Sequence, residues 1–572
     1  MPHENAPRPS ALRLAAASVL LALAFLALAG ARPLNVPDEG RYAEVAREMV
    51  VTGDYVTPRL DFVPFLDKPA LFYWLDAAGI RLFGATPFGA RFATALLGAL
   101  GCAAVLAAGA RLSGRRAGLL GAVVLAATPL WYGGAQYVNH DLAVAAWITA
   151  ATLALAAGLL GAGRARAGWL LAGGVASGLA LLTKGLIGVL FPFGVVGLWL
   201  LAARRWRLVP WLVPAGLVAL AVAAPWYLAC QRANPDFFHY FFVTQHFERF
   251  TGKGFNNPTG PAFYLLVVPL GLLPWTAALP SAVDRAWRAC RADRTDARGD
   301  LLLLLWPILV VAFFSIPRSK IVGYVLPAIP PLAMLLGRWW DERLDAPPEP
   351  RRGLALGTAI PLALLGAGAA AVPWVLPLVD RSQPPAPAWA AALLVATGLA
   401  LVILAALAWR AHREGAARRA LLVQALASAV LIAGLLVAVP GVVRDGTRGL
   451  AARIEALRRD GDAVLAYRRY PYDLPFLLDL RAPLPVVEDW DDPAIAREDS
   501  WRRELWLGRG WRPESQAWLV KPEALSERCG PGARCFVVAR ERDVAALRAS
   551  LGLEELAREG RLVLLASPAA AR

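Results

Sequence analysis

Apolar residues recur along this chain in runs of about twenty, the length at which a helix crosses a bilayer. The runs lie at about 11–31, 88–110, 117–133, 141–162, 168–183, 186–203, 208–229, 261–281, 300–316, 321–337, 354–378, 387–409 and 420–440. They predict thirteen membrane-spanning helices in residues 1–440. Two long polar segments interrupt them, at 32–87 and 230–260. Within the first, RYAEVAREMV (41–50) and PALFYWLDAAGIRLF (69–83) carry helical periodicity with one polar face. That pattern predicts helices lying along the membrane–water boundary.

The pattern changes at residue 441. GLAARIEALRR (449–459) and DVAALRASL (543–551) are helix-like; AVLAY (463–467), CFVVAR (535–540) and RLVLLA (561–566) are strand-like. Alternation of that kind predicts a small α/β domain over 441–572, long enough to bury its own core. The expected architecture is a polytopic all-α membrane protein with amphipathic juxtamembrane helices and a small α/β domain at its C-terminus.

Composition agrees: 58% of the 572 residues are apolar and 18% charged, with a mean hydropathy of +0.49. A soluble, disordered or disulfide-rich secreted protein is excluded. The net charge of +16 is located by the loops. Segments 111–116, 163–167, 204–207, 282–299, 338–353 and 410–419, with the N-terminal tail, hold 23 basic residues. Segment 32–87 holds six basic against eight acidic residues, and 441–572 holds 22 against 21. By the positive-inside rule the N-terminus and the arginine-rich loops are cytoplasmic. An odd number of spans then places the C-terminal domain on the outer side. The excess charge is topological, and nucleic acid is not needed to explain it. Cys529 and Cys535 flank GPGAR. On an oxidising face the pair forms either a short-loop disulfide or two free thiols.

Only five residues are lysines, and four of them, Lys68, Lys184, Lys253 and Lys320, fall in predicted outer segments. A single such lysine snorkels to the interface. Four on the disfavoured side point to a shared anion, and phosphate is the anion of a bilayer surface. Carboxylates mark the same face. Asp38 and Glu39, followed by Arg41 and Tyr42, stand just after the first span, and Asp141 opens the fourth. Either group alone is explained as partners of helix N-termini. Together they have the density of a site that positions and deprotonates a group. A transporter would also carry many spans and buried charge, but its ionisable residues would sit near mid-bilayer. An assembly protein working through 441–572 is a further alternative.

DEGRYAEVAREM with GDYVTPRLDFVPFLDKPALFYWL (53–75) resembles the first outer loop of the aminoarabinose transferase family. That family belongs to the GT-C class of polytopic glycosyltransferases, with the protein O-mannosyltransferases. Asp141, LLTKG (181–185), FFVTQHFERF (241–250), GLLPW (271–275) and SIPRSKIVGYVLP (315–327) follow in family order. The resemblance implies a bacterial inner-membrane enzyme with a periplasmic C-terminal domain. It implies transfer of an aminoarabinose-like sugar from undecaprenyl phosphate to lipid A, with a protein hydroxyl or another glycolipid as the alternative acceptor. Carried over by position, Asp38 matches the main acidic candidate, with Glu39 and Asp141 near it. Lys68, Lys184, Arg249 and Tyr324 match donor-phosphate residues; Arg41, Tyr42, Lys320 and His246 support them.

Some relatives hold a structural zinc with a Glu and a His. Here Phe65, Leu66 and Asp67 precede the KP of the first loop, and Thr244 stands at the histidine position. His246 with Asp67 is a poor substitute, so the sequence predicts no bound metal and no required cofactor. Membrane lipids are the expected surroundings, and a monomer the expected state.

Overall fold

A computed structural model describes residues 11–248, 259–293, 299–379, 385–442, 446–530 and 532–572. The chain starts with helix α1 (Ala11–Leu26), then α2 (Asp38–Thr52), a hairpin of β1 (Arg59–Leu60) and β2 (Val63–Pro64), and α3 (Leu71–Phe83). The helical body continues with α4 (Pro87–Leu112), α5 (Arg115–Ala126), α6 (Pro129–Ala135), α7 (His140–Leu160), α8 (Gly163–Lys184), α9 (Ile187–Ala202) and α10 (Leu212–Ala233). It is completed by α11 (Phe263–Gly271), α12 (Leu279–Ala292), α13 (Asp300–Ser315), α14 (Ile329–Asp345), α15 (Arg352–Val379), α16 (Ala388–Arg413) and α17 (Ala417–Val442).

Each predicted apolar run is helical over at least part of its length. Among the described residues seven helices are long and apolar enough to cross a membrane. Two bent pairs raise this to nine: α5 with α6, bent by 65°, and α11 with Trp275–Ala292, bent by 107°. The runs at 11–31, 186–203 and 300–316 fall on shorter apolar helices. The run at 321–337 is split between a 3₁₀ segment, Val322–Ala328, and α14. The C-terminal half of α14 carries Arg338, buried against Asp300 at the start of α13. Proline interrupts several of these runs, which costs backbone hydrogen bonds and bends a helix. Hydropathy alone does not register the bend. The central helix is α7, whose apolar stretch is 89% buried.

The C-terminal unit holds α18 (Arg448–Leu457), β3 (Ala463–Tyr467), β4 (Val486–Val487), α19 (Trp501–Trp511), β5 (Leu519–Val520), β6 (Cys535–Arg540), α20 (Glu541–Leu551), β7 (Glu554–Glu559) and β8 (Leu562–Ala566). Its six strands form one mixed sheet in the order β5-β4-β3-β6-β8-β7. β3 pairs in parallel with both β4 and β6, while β6, β8 and β7 are antiparallel. Cys529 and Cys535 are joined by a disulfide.

α2 is covered by protein along most of its length: Glu39, Gly40 and Ala43–Met49 are buried. One side packs on α3 and the other on the C-terminal unit. Gly40 is required there, because a Cβ would come within 3.0 Å of the Asp473 nitrogen and 3.1 Å of the Tyr472 carbonyl carbon. Arg47 joins the halves: its guanidinium pairs with Glu44 at 2.6 Å and reaches the Leu480 carbonyl and Asp479. Glu48 and Asp61 are buried beside it, and Phe62 and Leu484 donate backbone N–H bonds to them at 2.8 Å. The amphipathic pattern of α2 thus reflects two protein partners, one of them rich in polar groups.

Candidate active site between the helical body and the C-terminal unit

A cavity of about 1610 Å³ opens where α2, α7, α8 and the 3₁₀ segment meet α19. Asp38, Arg41, Tyr42, Lys68, Asp141, Lys184 and Tyr324 all line it. Residues 200 or more apart in places are therefore gathered on one surface, as their residue types lead one to expect.

Local structure sets each of them. Asp141 stands in the first turn of α7, where the Asn139 side chain caps the helix by accepting from the Asp141 N–H at 2.9 Å. Lys184 closes α8, at the end where a cation meets the negative end of the helix dipole. Gly185 follows with φ of +87°, which turns the chain away. Lys184 and Asp141 form an ion pair, and the Lys184 ammonium sits 4.7 Å from the centre of the Tyr324 ring. Tyr324 is braced by Phe314 at 5.1 Å. Gly323 admits this arrangement: a Cβ there would fall 2.5 Å from the Asp141 carboxylate. Lys68 follows the hairpin and donates to the Asp67 carbonyl at 3.0 Å.

Asp38 opens α2 with its carboxylate partly exposed to the cavity, 3.8 Å from Arg41. Arg41 reaches across to the C-terminal unit, pairing with Glu504 at 3.0 Å and lying 4.8 Å from the Tyr472 ring centre. Burial alone would weaken its proton affinity. Glu504, Tyr472, Tyr42 and Asp38 outweigh that and hold the guanidinium well above its ordinary pKa. Burial pushes the Tyr42 and Tyr472 phenols up, so both stay protonated and can donate. Burial also raises Glu504, against the pull of Arg41 and the hydrogen bond from Tyr472 at 2.6 Å.

Glu39 is elsewhere. Its carboxylate faces away from the cavity and is fully buried. It accepts from Arg32 at 2.5 Å, from Arg91 at 2.7 and 2.9 Å, and from the Asn35 and Val138 N–H groups at 2.8 and 2.9 Å. Burial would raise its pKa, but Arg91 and Arg32 prevail and lower it. Such a saturated carboxylate ties α2 to the segment before it, to α4 and to the residues leading into α7, and has no lone pair left for catalysis. Lys320 is also buried and off the cavity; it holds the backbone carbonyls of Thr259 and Pro317. Arg249 and Lys253 lie outside the described residues, as does the side chain of His246.

Several cavity residues escape a reading of the sequence. Asp67 accepts from the Tyr240 hydroxyl and from Gln245 at 3.1 Å. The carboxylate expected to be a poor zinc ligand is thus bound to organic donors. Among the described residues no group of three or more His, Cys, Asp or Glu side chains is placed to hold a metal. Arg469, Tyr472, Ser500, Arg503 and Glu504 come from the C-terminal unit, in which no catalytic constellation is expected from the sequence. Away from these polar groups the cavity turns apolar. Leu186, Val189, Phe193, Leu212, Leu217 and Phe313 continue it between α9, α10 and α13.

The sequence pattern that defines the family "Dolichyl-phosphate-mannose-protein mannosyltransferase" matches residues 67–228. The undecaprenyl phosphate-α-4-amino-4-deoxy-L-arabinose arabinosyl transferase 1 of Sodalis glossinidius is 34% identical over 376 residues, 64% of this chain and 67% of that protein. The chain belongs to the family of these arabinosyl transferases. The Erwinia tasmaniensis transferase is 34% identical over 322 residues, 56% of this chain and 58% of its own length. The matched part therefore spans about three fifths of the curated relatives. Over the whole chain, the crystal structure of ArnT from Cupriavidus metallidurans bound to undecaprenyl phosphate superposes with a TM-score of 0.81 at 28% identity. That comparison covers 98% of this chain and 99% of the other. As an arabinosyl transferase relative, the protein is a multi-pass membrane protein of the polytopic helical class with a small C-terminal sheet.

Proposed function

We propose that this protein is a glycosyltransferase of the bacterial inner membrane. It moves an aminoarabinose-like sugar from undecaprenyl phosphate to lipid A or a related acceptor at the periplasmic face, and it works as a monomer. The observation that carries the reading is the shape and lining of this cavity: cations and carboxylates at one end, an apolar groove between helices at the other. A lipid-linked phosphosugar has the same two ends. The arginine-rich loops support the cytoplasmic N-terminus, and the disulfide is in keeping with a periplasmic C-terminal unit.

Transfer breaks the bond between the anomeric carbon and the donor phosphate oxygen, and the phosphate leaves with the electron pair. Lys68 and Lys184 stabilise the charge that builds on it, with Tyr324 beside them. Before the donor binds, Asp141 neutralises Lys184; the donor phosphate shares that cation. Asp38 removes the proton of a hydroxyl acceptor, or stabilises the positive character of the sugar when the acceptor is an ionised phosphate. Glu504 and the protonated Tyr42 line the space between phosphate and C-terminal unit, where they suit an amino sugar.

A protein hydroxyl as acceptor is the second reading, favoured by the mannosyltransferase pattern over residues 67–228. It keeps the same donor chemistry. Reconstitution of the purified protein with undecaprenyl phosphate-aminoarabinose separates the two readings, with lipid A and a serine/threonine-rich peptide as competing acceptors. Labelled lipid A supports the first reading. Labelled peptide supports the second, and no donor consumption with either refutes both.

A further inference from the structure

The wall contributed by the C-terminal unit carries two guanidinium groups that pair with no carboxylate among the described residues. Several other arginines of that unit are paired with carboxylates: Arg502 with Asp492 and Glu498, Arg509 with Asp491, Arg512 with Glu514, Arg534 with Asp462, Arg558 with Glu541 and Glu555. Arg469, just beyond β3, and Arg503, in the first turn of α19, are half-buried and line the cavity. Among the described residues neither makes a hydrogen bond or an ion pair. Glu504 on the same wall is already engaged by Arg41 and Tyr472. Asp499 is the remaining carboxylate there.

A second feature points the same way. The first turn of α19 opens onto this wall, and Ser500 at its N-cap position makes no capping bond. Its hydroxyl oxygen is buried without a partner. Helix N-termini present N–H groups and a partial positive charge to anions. Arg503 lies in that first turn, and Arg469 comes three residues before Tyr472, which donates to Glu504 of the same helix; guanidinium groups there match the oxygens of a phosphate.

We propose that Arg469, Arg503 and the N-terminus of α19 form a second anion subsite, distinct from the Lys68–Lys184 end, that binds a phosphate of the acceptor. The inference rests on the transferase reading. Two phosphate-bearing substrates must meet in one cavity, and a single cationic patch would place them in competition. Two patches on facing units let both bind at once, with the sugar between them.

The test uses the full-length protein in proteoliposomes. Undecaprenyl phosphate-aminoarabinose is the donor, and phosphorylated or enzymatically dephosphorylated lipid A the acceptor. Arg469→Gln and Arg503→Gln each raise the KM for phosphorylated lipid A about tenfold and leave the donor KM unchanged. Arg469→Lys and Arg503→Lys recover part of the loss, and melting temperatures stay within error of the parent. An unchanged acceptor KM overturns the subsite. A rise in donor KM instead assigns the arginines to the donor phosphate, which also overturns it. Equal use of the two acceptors by the parent protein does the same. If the parent transfers no sugar at all, the transferase reading fails separately. Binding of phosphorylated lipid A to the purified protein then decides: weaker binding by the Gln variants sustains the subsite, and equal binding removes it.

Discussion

Asp38 and Glu39 are neighbours in sequence and opposites in environment. Glu39 accepts five hydrogen bonds inside the protein, from two arginines and two backbone N–H groups, and is sealed from solvent. Asp38 keeps a partly exposed carboxylate, 3.8 Å from one arginine, in a cavity that also holds Lys68, Lys184 and Asp141. The first cluster is complete without a ligand. The second presents charge to a space that a substrate can fill. The lesson is that density of charge at a membrane edge identifies neither structure nor chemistry; the unused hydrogen-bonding capacity does.

The largest effect expected on the closed cluster comes from Arg91. Arg91→Met leaves Glu39 buried with two of its five hydrogen bonds gone and should cost roughly 3–5 kcal/mol. A large fall in melting temperature in detergent, or failure to accumulate, is the expected outcome. An unaltered melting temperature would remove the structural role assigned to Glu39.

On the open cluster, Gly323→Ala places a methyl group where the Asp141 carboxylate lies, 2.5 Å away by geometry. Displacing the Asp141–Lys184 pair by about 1 Å should lower transfer roughly 100-fold. Melting temperature should move little. Full activity would mean that Asp141 is not held where transfer needs it.

The smallest effect concerns the junction of α2 with the C-terminal unit. Burial, reinforced by Glu44 and Asp61, pushes Glu48 well above the usual carboxylate range; Arg47 only partly opposes it. Burial likewise raises Asp61. Tyr470 faces the same group, and Asp479 reaches Arg47. A carboxyl with a raised folded pKa adds stability below its unfolded value, near 4.3 for Glu, and loses it as pH rises through the folded value. Stability should therefore fall as pH is raised from about 4.5. Glu48→Gln should flatten that dependence and gain about 1 kcal/mol at neutral pH. A thermal melt at several pH values reads both. A variant as pH-sensitive as the parent would exclude Glu48 as the source.

Much of this was legible in the sequence, for physical reasons. Apolar runs located the helices, because a bilayer demands continuous hydrophobicity. They do not show which helices are bent or short, because proline bends and helix length do not alter mean hydropathy. Lys68, Lys184 and Asp141 stood out because charge beside an apolar run is costly and rare. Glu39 was misjudged because adjacency says nothing of which side of a helix a carboxylate faces. Two consecutive helical residues point about 100° apart. The wall of α19 was hidden for a different reason. WRRELWLGRGW has the look of any amphipathic surface helix, and only docking against α2 turns Glu504 and Arg503 into cavity residues.

The most direct test of the open cluster compares three variants in one proteoliposome assay: Asp38→Asn, Lys68→Ala and Glu39→Gln. Donor-dependent sugar transfer and melting temperature are measured on each. Asp38→Asn and Lys68→Ala should lose transfer by about 100-fold or more while melting like the parent. Glu39→Gln should melt earlier, and its surviving folded fraction should retain transfer. Full transfer by both Asp38→Asn and Lys68→Ala would contradict the assignment of the cavity as the catalytic site.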